Sequence, residues 1–480
     1  MAIDVDQVYS PGWWLMELSD KLAGRLPRLE RLRRYADGDA DLPESAESVR
    51  KSYAAFQRKA RLNMAELMVS SVRERMHVRA IQTAQPTNDE RGDEAARALF
   101  DANQLDVELP DVLDNMLALG DAYMIAGRYG PDGGGEPVLT GEDPRQVVTI
   151  HDPVRQSEVL AAAKFYSDPI QQMDYAILWV RGGNVPGVAE TRRWVAARPA
   201  GRGNRSVRFD SHSWGWVKGL HAADPTGELG LPTGTERVPV VRFRNRRAQG
   251  IFEIHIDHID RINHGILQRV IIATMQAYRQ RAIKGDLPEV YPDSHPRAGE
   301  RIDYNDIFRA DPGALWMLPE TAEMWESGQV DLNGVLKSVE DDIKQLAAVS
   351  RMPLSIFNPE SGNQSAQGAI LSREGLVHAT RTAMTRAGRA VAAGFELMFE
   401  LGNDTDRAKR GTVTIEWEPP DPSAILDQAQ AAMNAKAAGM SKSWIMQSVF
   451  GMTPQQQKRE AAAFRTEQWM IPPAPETVSA

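Results

Sequence analysis

Residues able to do chemistry crowd together in the stretch EIHIDHIDRINHG, which holds His255, Asp257, His258 and His264. Imidazoles and a carboxylate can hold a metal ion and activate a bound water, the chemistry of a metal-dependent nuclease. Helical spacing argues against it. His255 and His258 share a face, whereas Asp257 points about 100° away from His258. The expectation is a structural or polar-face role, with no catalytic residue, no metal and no cofactor assigned. Other reaction signatures are missing. There is no G-x-x-x-x-G-K-[ST] phosphate loop, no H-E-x-x-H and no G-x-S-x-G, and without cysteine there is no thiol nucleophile.

Two basic stretches could touch nucleic acid. One is the run Arg25, Arg28, Arg31, Arg33 and Arg34, more simply a solvated or inter-subunit helix face with acidic neighbours. The other is GRGNRS, Gly201 to Ser206, most simply a hairpin turn between strands. The formal net charge is −9, from 56 basic and 65 acidic residues, so duplex DNA is expected to slide past this chain, not to be gripped by it.

The elements that must position these residues follow from period and punctuation. At 480 residues the chain exceeds one core, and 42% hydrophobic with 25% charged residues is ordinary for folded protein. No apolar run approaches the roughly 20 residues of a membrane span. MAIDVDQVYS lacks the basic and apolar regions of a signal peptide, so the cytoplasm, or a particle assembled there, is expected. Helices are predicted over Gly12 to Tyr35 (interrupted by Pro27), Asn63 to Met76, Asp93 to Asn103, and Asp111 to Gly120 with Asp111 as cap. From Ala122 to Phe243 strand-like runs alternate with Gly-, Pro- and Asp-rich turns, an antiparallel β-rich block. Phe252 to Lys284 is the longest helical pattern, acidic at its start and basic at its end, which suits the helix dipole. A Pro-rich module over Asp286 to Gln329 should contain strands, because structureless loops of that length are rare.

Beyond it, Leu332, Val335, Leu336, Val339, Ile343, Leu346 and Val349 recur at helical spacing after a capping Asp331. Pro353 ends that helix. A polar, Gly- and Pro-containing loop follows to about Gln364, and then a long helix to Gly402 carrying Gly375, Gly388 and Gly394, sites for a bend or a close backbone contact. The strand Gly411 to Trp417 and helices over 425–438, 441–450 and 455–470 complete the chain. The fold class is α+β.

SRMPLSIFNPESGNQSAQGAILSREGLV resembles a segment of phage portal proteins, in which a stem helix ends in a turn like Arg351-Met352-Pro353-Leu354. There a polar G-N-x-S-A loop, here Gly362 to Ala366, leads into a long kinked helix. RLRRYADGDADLP, NMAELMVSSVRERM, and DPRQVVTIHD with the following VLAAAKFY resemble the same SPP1-type family, in the same order. The resemblance implies a wing over 1–251, a first stem helix over 252–284, a clip over 285–330 and a second stem helix over 331–352. It further implies a tunnel loop over 353–366, the kinked helix and a wing strand over 367–418, and a helical crown with a flexible tail over 419–480. It implies a homo-oligomeric ring, typically a dodecamer, at one capsid vertex of the virion. Double-stranded DNA passes through such a ring, which docks the terminase motor and then the head-completion adaptor, and which assembles with major capsid and scaffolding proteins. No membrane is involved. On this reading Ser361, Asn363, Gln364 and Ser365 face DNA, Leu354, Ile356 and Phe357 anchor the loop, and Lys337, Glu340, Asp341 and Lys344 line the channel. The alternatives are a metal-dependent nucleic-acid-processing enzyme built on His255 and His258, and a capsid-associated binding protein without a channel.

Overall fold

Ser10 opens the first helix. Its hydroxyl accepts from the Trp13 N–H at 3.1 Å, and Pro11 follows where a missing N–H costs nothing. Helix α1 then runs unbroken over Pro11–Ala36, with Pro27 inside it and not interrupting it. Burial of Leu15, Leu18, Leu22, Leu29 and Leu32 along one stripe outweighs the backbone bond that Pro27 cannot donate.

The computed structural model describes residues 3–42, 51–85, 92–129, 135–200, 209–217, 230–277, 281–285, 287–304, 322–326, 328, 331–358, 366–421, 424–450, 452, 457, 460–461 and 464–465. After α1 come α2 (Lys51–Ala60), α3 (Met64–Arg73), β1 (Val78–Gln82), α4 (Glu94–Ala102) and α5 (Leu105–Leu119). The β-rich block holds β2 (Asp121–Tyr129), β3 (Glu136–Glu142), β4 (Val147–His151), β5 (Val159–Asp168), β6 (Met173–Val180), β7 (Arg192–Pro199), β8 (Gly215–Trp216), β9 (Gly230–Pro232) and β10 (Val240–Arg244). Then follow α6 (Ile256–Ala277), β11 (Arg281–Gly285), β12 (Ala322–Glu326), α7 (Leu332–Ser350), α8 (Leu354–Phe357), α9 (Ala366–Leu401), β13 (Thr414–Trp417), α10 (Ala424–Ala437) and α11 (Lys442–Ser448). No helix among the described residues is long and apolar enough to cross a membrane.

The chain forms two compact units. The larger comprises Met1–Asp41, Asn63–Ile259 and Gln345–Ala480. Its main sheet is antiparallel, in the order β4-β5-β6-β7-β8 with β9 also on β7. The two faces of β5 are both covered, since Ala161, Ala163 and Phe165 pack under α1 with Trp14, Leu15 and Leu18, while Ala162 packs with Tyr123, Val147 and Val240. That double coverage explains why β5 and β6 read as nearly continuous apolar runs. A second sheet, β10-β2-β3, grows directly out of α5, because Gly120 at φ 87° ends the helix one residue before β2. α5 starts at Leu105 and takes in Pro110, so Asp111 lies inside it and is not its cap. Burial of Leu105 and Leu109 extends the helix backward past the proline. Helix α9 lays Leu376, Met384, Ala387, Val391, Phe395 and Met398 inward and packs on β10, β2 and β13.

The smaller unit comprises Leu42–Leu62 and Asp260–Lys344. Residues 42–62, assigned from sequence to the N-terminal block, group here instead. The Leu62 N–H donates to the side chain of Asn263 at 2.9 Å. The helix expected over 252–284 is a 3-10 turn at Glu253–His255 followed by α6, and its basic end is a strand. β11 pairs antiparallel with β12, setting Arg281 opposite Glu326 and Lys284 opposite Glu323 in register. Long-range pairing overrides the helical periodicity that Ile283 and Lys284 continue. The expected strand content of the Pro-rich module is thus β12.

Candidate functional site

Lys337, Glu340, Asp341 and Lys344 fall at i, i+3, i+4 and i+7 of α7, so helical geometry puts them on one stripe, and all four are exposed. Asp331 starts the helix by accepting from the Asn333 N–H at 2.9 Å. Within the smaller unit the opposite side of α7 faces α6. Val339 is buried, and a Cβ on Gly265 of α6 would come within 2.9 Å of its methyl group. Arg261 of α6 reaches Asp342 at 3.1 Å, at the edge of that contact. On the exposed side Lys344 meets Asp341 at 3.1 Å, a solvent-screened pair that contributes little to stability. Leu336 stays 37% exposed, an apolar position that α6 leaves uncovered.

The helix ends at Arg351, whose φ of +57° turns the chain before Pro353. The Met352 N–H donates to the Ala347 carbonyl at 3.1 Å, which closes the turn. Leu354, Ile356 and Phe357, expected in a loop, form the single helical turn α8. All three are half-buried, and α8 packs against α3 of the same chain. Ser361, Asn363, Gln364 and Ser365 lie outside the described residues, as does Gly201 to Ser206. α9 then returns past the end of α7 so closely that a Cβ on Gly375 would sit 2.5 Å from the Arg351 carbonyl oxygen. This is the close backbone contact that a glycine inside a helix makes possible.

His255 and His258 approach edge to face with ring centroids 6.2 Å apart, while Asp257 is exposed. Burial, then the neighbouring His258, holds His255 below the usual imidazole range. Among the described residues no group of three His, Asp or Glu could hold a metal ion. The arginines of α1 find carboxylates within the chain: Arg25 meets Asp121 at 2.6 Å, Arg28 meets Glu253 at 2.5 Å, and Arg33 meets Asp37 at 3.7 Å. Arg31 and Arg34 share Asp41 at 3.4 and 2.8 Å. The run thus lies on a helix face with acidic neighbours, with Arg31 and Arg34 each 47% exposed.

Residues 16–468 match the family model described as "Phage portal protein, SPP1 Gp6-like". The chain belongs to that portal protein family. No curated protein matches it. Solved structures similar to the portal chain include the neck of a native gene transfer agent particle, at 11% identity and TM-score 0.42, covering 83% of this chain and 90% of that one. The neck of an empty particle matches at 12% identity and TM-score 0.43, covering 88% and 99%. An HK97-family phage portal protein from Corynebacterium diphtheriae matches at 11% identity and TM-score 0.33, covering 80% and 98%.

The portal chain also carries a feature without a local sequence signal. A groove of about 600 Å³ in the larger unit is lined by eight arginines drawn from the β4–β5 turn, β10, α9 and other segments. Half of them are neutralised in place. Arg181 and Arg410 meet Glu158, Arg237 meets Glu396 at 2.9 Å, and Arg242 meets the buried Asp121 at 2.7 Å. The other half, Arg155, Arg244, Arg386 and Arg389, are exposed and have no ion pair among the described residues. At the groove wall, burial followed by the charges of Arg242 and Lys21 pushes His151 down to about 4, so the imidazole stays neutral among the cations.

Proposed function

We propose that this portal chain forms a closed homo-oligomeric ring, typically of twelve subunits, at one capsid vertex of a tailed phage, and that double-stranded DNA is packaged and released through its axis. Family membership over residues 16–468 is the observation that carries the reading. The exposed stripe of α7 supports a channel lining of alternating sign. Glu340 and Asp341 would repeat around the axis as acidic rings and Lys337 and Lys344 as isolated cationic ones, a surface that DNA slides past. Ser361, Asn363, Gln364 and Ser365 would face the DNA, with Leu354, Ile356 and Phe357 holding the base of the loop. The terminase motor and then the head-completion adaptor would dock on the ring, and scaffolding and major capsid proteins would assemble around it in the host cytoplasm. The chain itself would catalyse no reaction.

Negative-stain imaging of the purified chain at micromolar concentration tests this reading. Rings with an axial hole are expected. Monomers or dimers alone across a range of salt would overturn it.

A further inference from the structure

The unpaired arginines form one continuous surface. Arg386 of α9 lines both the groove of about 600 Å³ and a neighbouring depression of about 610 Å³, whose wall adds Arg246, Arg247 and Arg351. These three are also exposed and without an ion pair among the described residues. Both hollows have apolar floors, with Val240 and Leu397 in one and Met352 and Ala383 in the other. Cations ringing a concave apolar floor, with the local carboxylates already engaged, make a receptor for a protruding acidic surface.

The same unit also carries an acidic face. On α5, Val107, Asp111 and Asp114 follow at i, i+4 and i+7, with Val107 61% exposed, and Glu66 of α3 and Glu74, the cap at its end, stand nearby. Their neutralisation is incomplete. Arg73 lies 2.9 Å from Asp114 and is also the cation nearest Glu74, at 3.9 Å. Burial, with Glu66 and Asp111 adding to it against the pull of Arg73 and Arg33, pushes the Asp114 carboxyl up to about 6. Burial, then Asp37 and Glu74 against Arg73, raises Glu66 as well. One face thus carries arginines without an ion pair among the described residues, and on the other four carboxylates share the nearby Arg73 and Arg33.

We propose that the arginine surface of α9 and β10 is one half of the interface between neighbouring copies of this chain, and that the acidic α3–α5 face of the next copy fills it. The proposal rests on the ring reading and adds the faces that meet. Complementary but different faces give a head-to-tail contact, the kind that closes into a ring, whereas a two-fold contact would set arginines against arginines. The net charge of −9 favours this occupant over nucleic acid, since the chain supplies surplus carboxylates of its own.

The test uses the full chain in three variants: Arg386→Glu with Arg389→Glu, Glu66→Lys with Asp111→Lys, and all four together. Mass photometry reads assembly against protein and salt concentration, and circular dichroism confirms that each variant is folded. Each two-site reversal is expected to raise the concentration needed for assembly about tenfold or more, and the four-site chain to recover most of that loss. Assembly of the parent should weaken with salt, as screening requires. Two-site variants that assemble like the parent, or a four-site chain no better than either, would overturn the proposal and leave the ring reading standing. Loss of binding to a duplex oligonucleotide by the Arg386→Glu, Arg389→Glu chain, with its rings intact, would assign the surface to nucleic acid and overturn it too. A parent chain that never assembles would overturn the ring reading itself, and the proposal with it.

Discussion

Gly375→Ala should destabilise the chain although alanine is the better helix former. In an exposed helix interior the exchange gains about 1 kcal/mol. At Gly375 the new methyl would lie 2.5 Å from the Arg351 carbonyl oxygen and 3.0 Å from the Arg351 Cβ. Ordinary contact begins at 3.4 Å, so α9 or the turn must yield by the difference between 3.4 and 2.5 Å. The turn resists, because Arg351 already holds a left-handed φ of 57° and its neighbour Met352 is hydrogen-bonded to Ala347. Overpacking of this kind costs about 1–3 kcal/mol, which exceeds the propensity gain at most of that range. Gly24→Ala is the matched control. Gly24 lies inside α1 with nothing within 4 Å of a built Cβ, so only the gain of about 1 kcal/mol applies. Urea unfolding followed by far-UV circular dichroism, at one protein concentration, should move the two midpoints in opposite directions. If Gly375→Ala stabilises as much as Gly24→Ala, the close approach of α9 to the end of α7 is wrong.

Asp121→Ala should cost about 3–5 kcal/mol, because it strands Arg25 and Arg242 facing each other around a site where the carboxylate is only 2% exposed. Urea midpoints check this, and a loss below about 1 kcal/mol would show that solvent reaches the site. His151 should make stability pH-dependent. Its folded value of about 4 lies below the ordinary imidazole value of 6.5, so the unfolded chain binds the extra proton between those values. That contribution is fully present above pH 6.5, falls as the pH drops toward 4 and is then level, a total of up to about 3 kcal/mol. His151→Gln should flatten the curve of midpoint against pH in that window, and an unchanged curve would locate the titration elsewhere.

Periodicity and punctuation made much of the architecture legible. The stripe of α7, the cap at Asp331, the stop before Pro353 and the strands β4, β6 and β10 depend on neighbours a few residues away, and the chain displays those directly. The ordered motifs around Arg351 to Ala366 pointed to the portal family for the same reason. Where a distant partner decides, the sequence is silent. The last residues of the predicted first long helix became β11 because β12, some forty residues on, supplies backbone partners that no local period encodes. α5 begins before Pro110 because tertiary burial of Leu105 and Leu109 outweighs the cap that Asp111 offers. The five arginines of α1 read from sequence as a helix face with acidic neighbours, but only folding shows which neighbours, such as Glu253, 225 residues away from Arg28. Arg155, Arg244, Arg386 and Arg389 never formed a run, yet the fold gathers them into one groove. Charge acts through space over several ångströms, so which cations are neutralised and which remain free is settled only once the chain has folded.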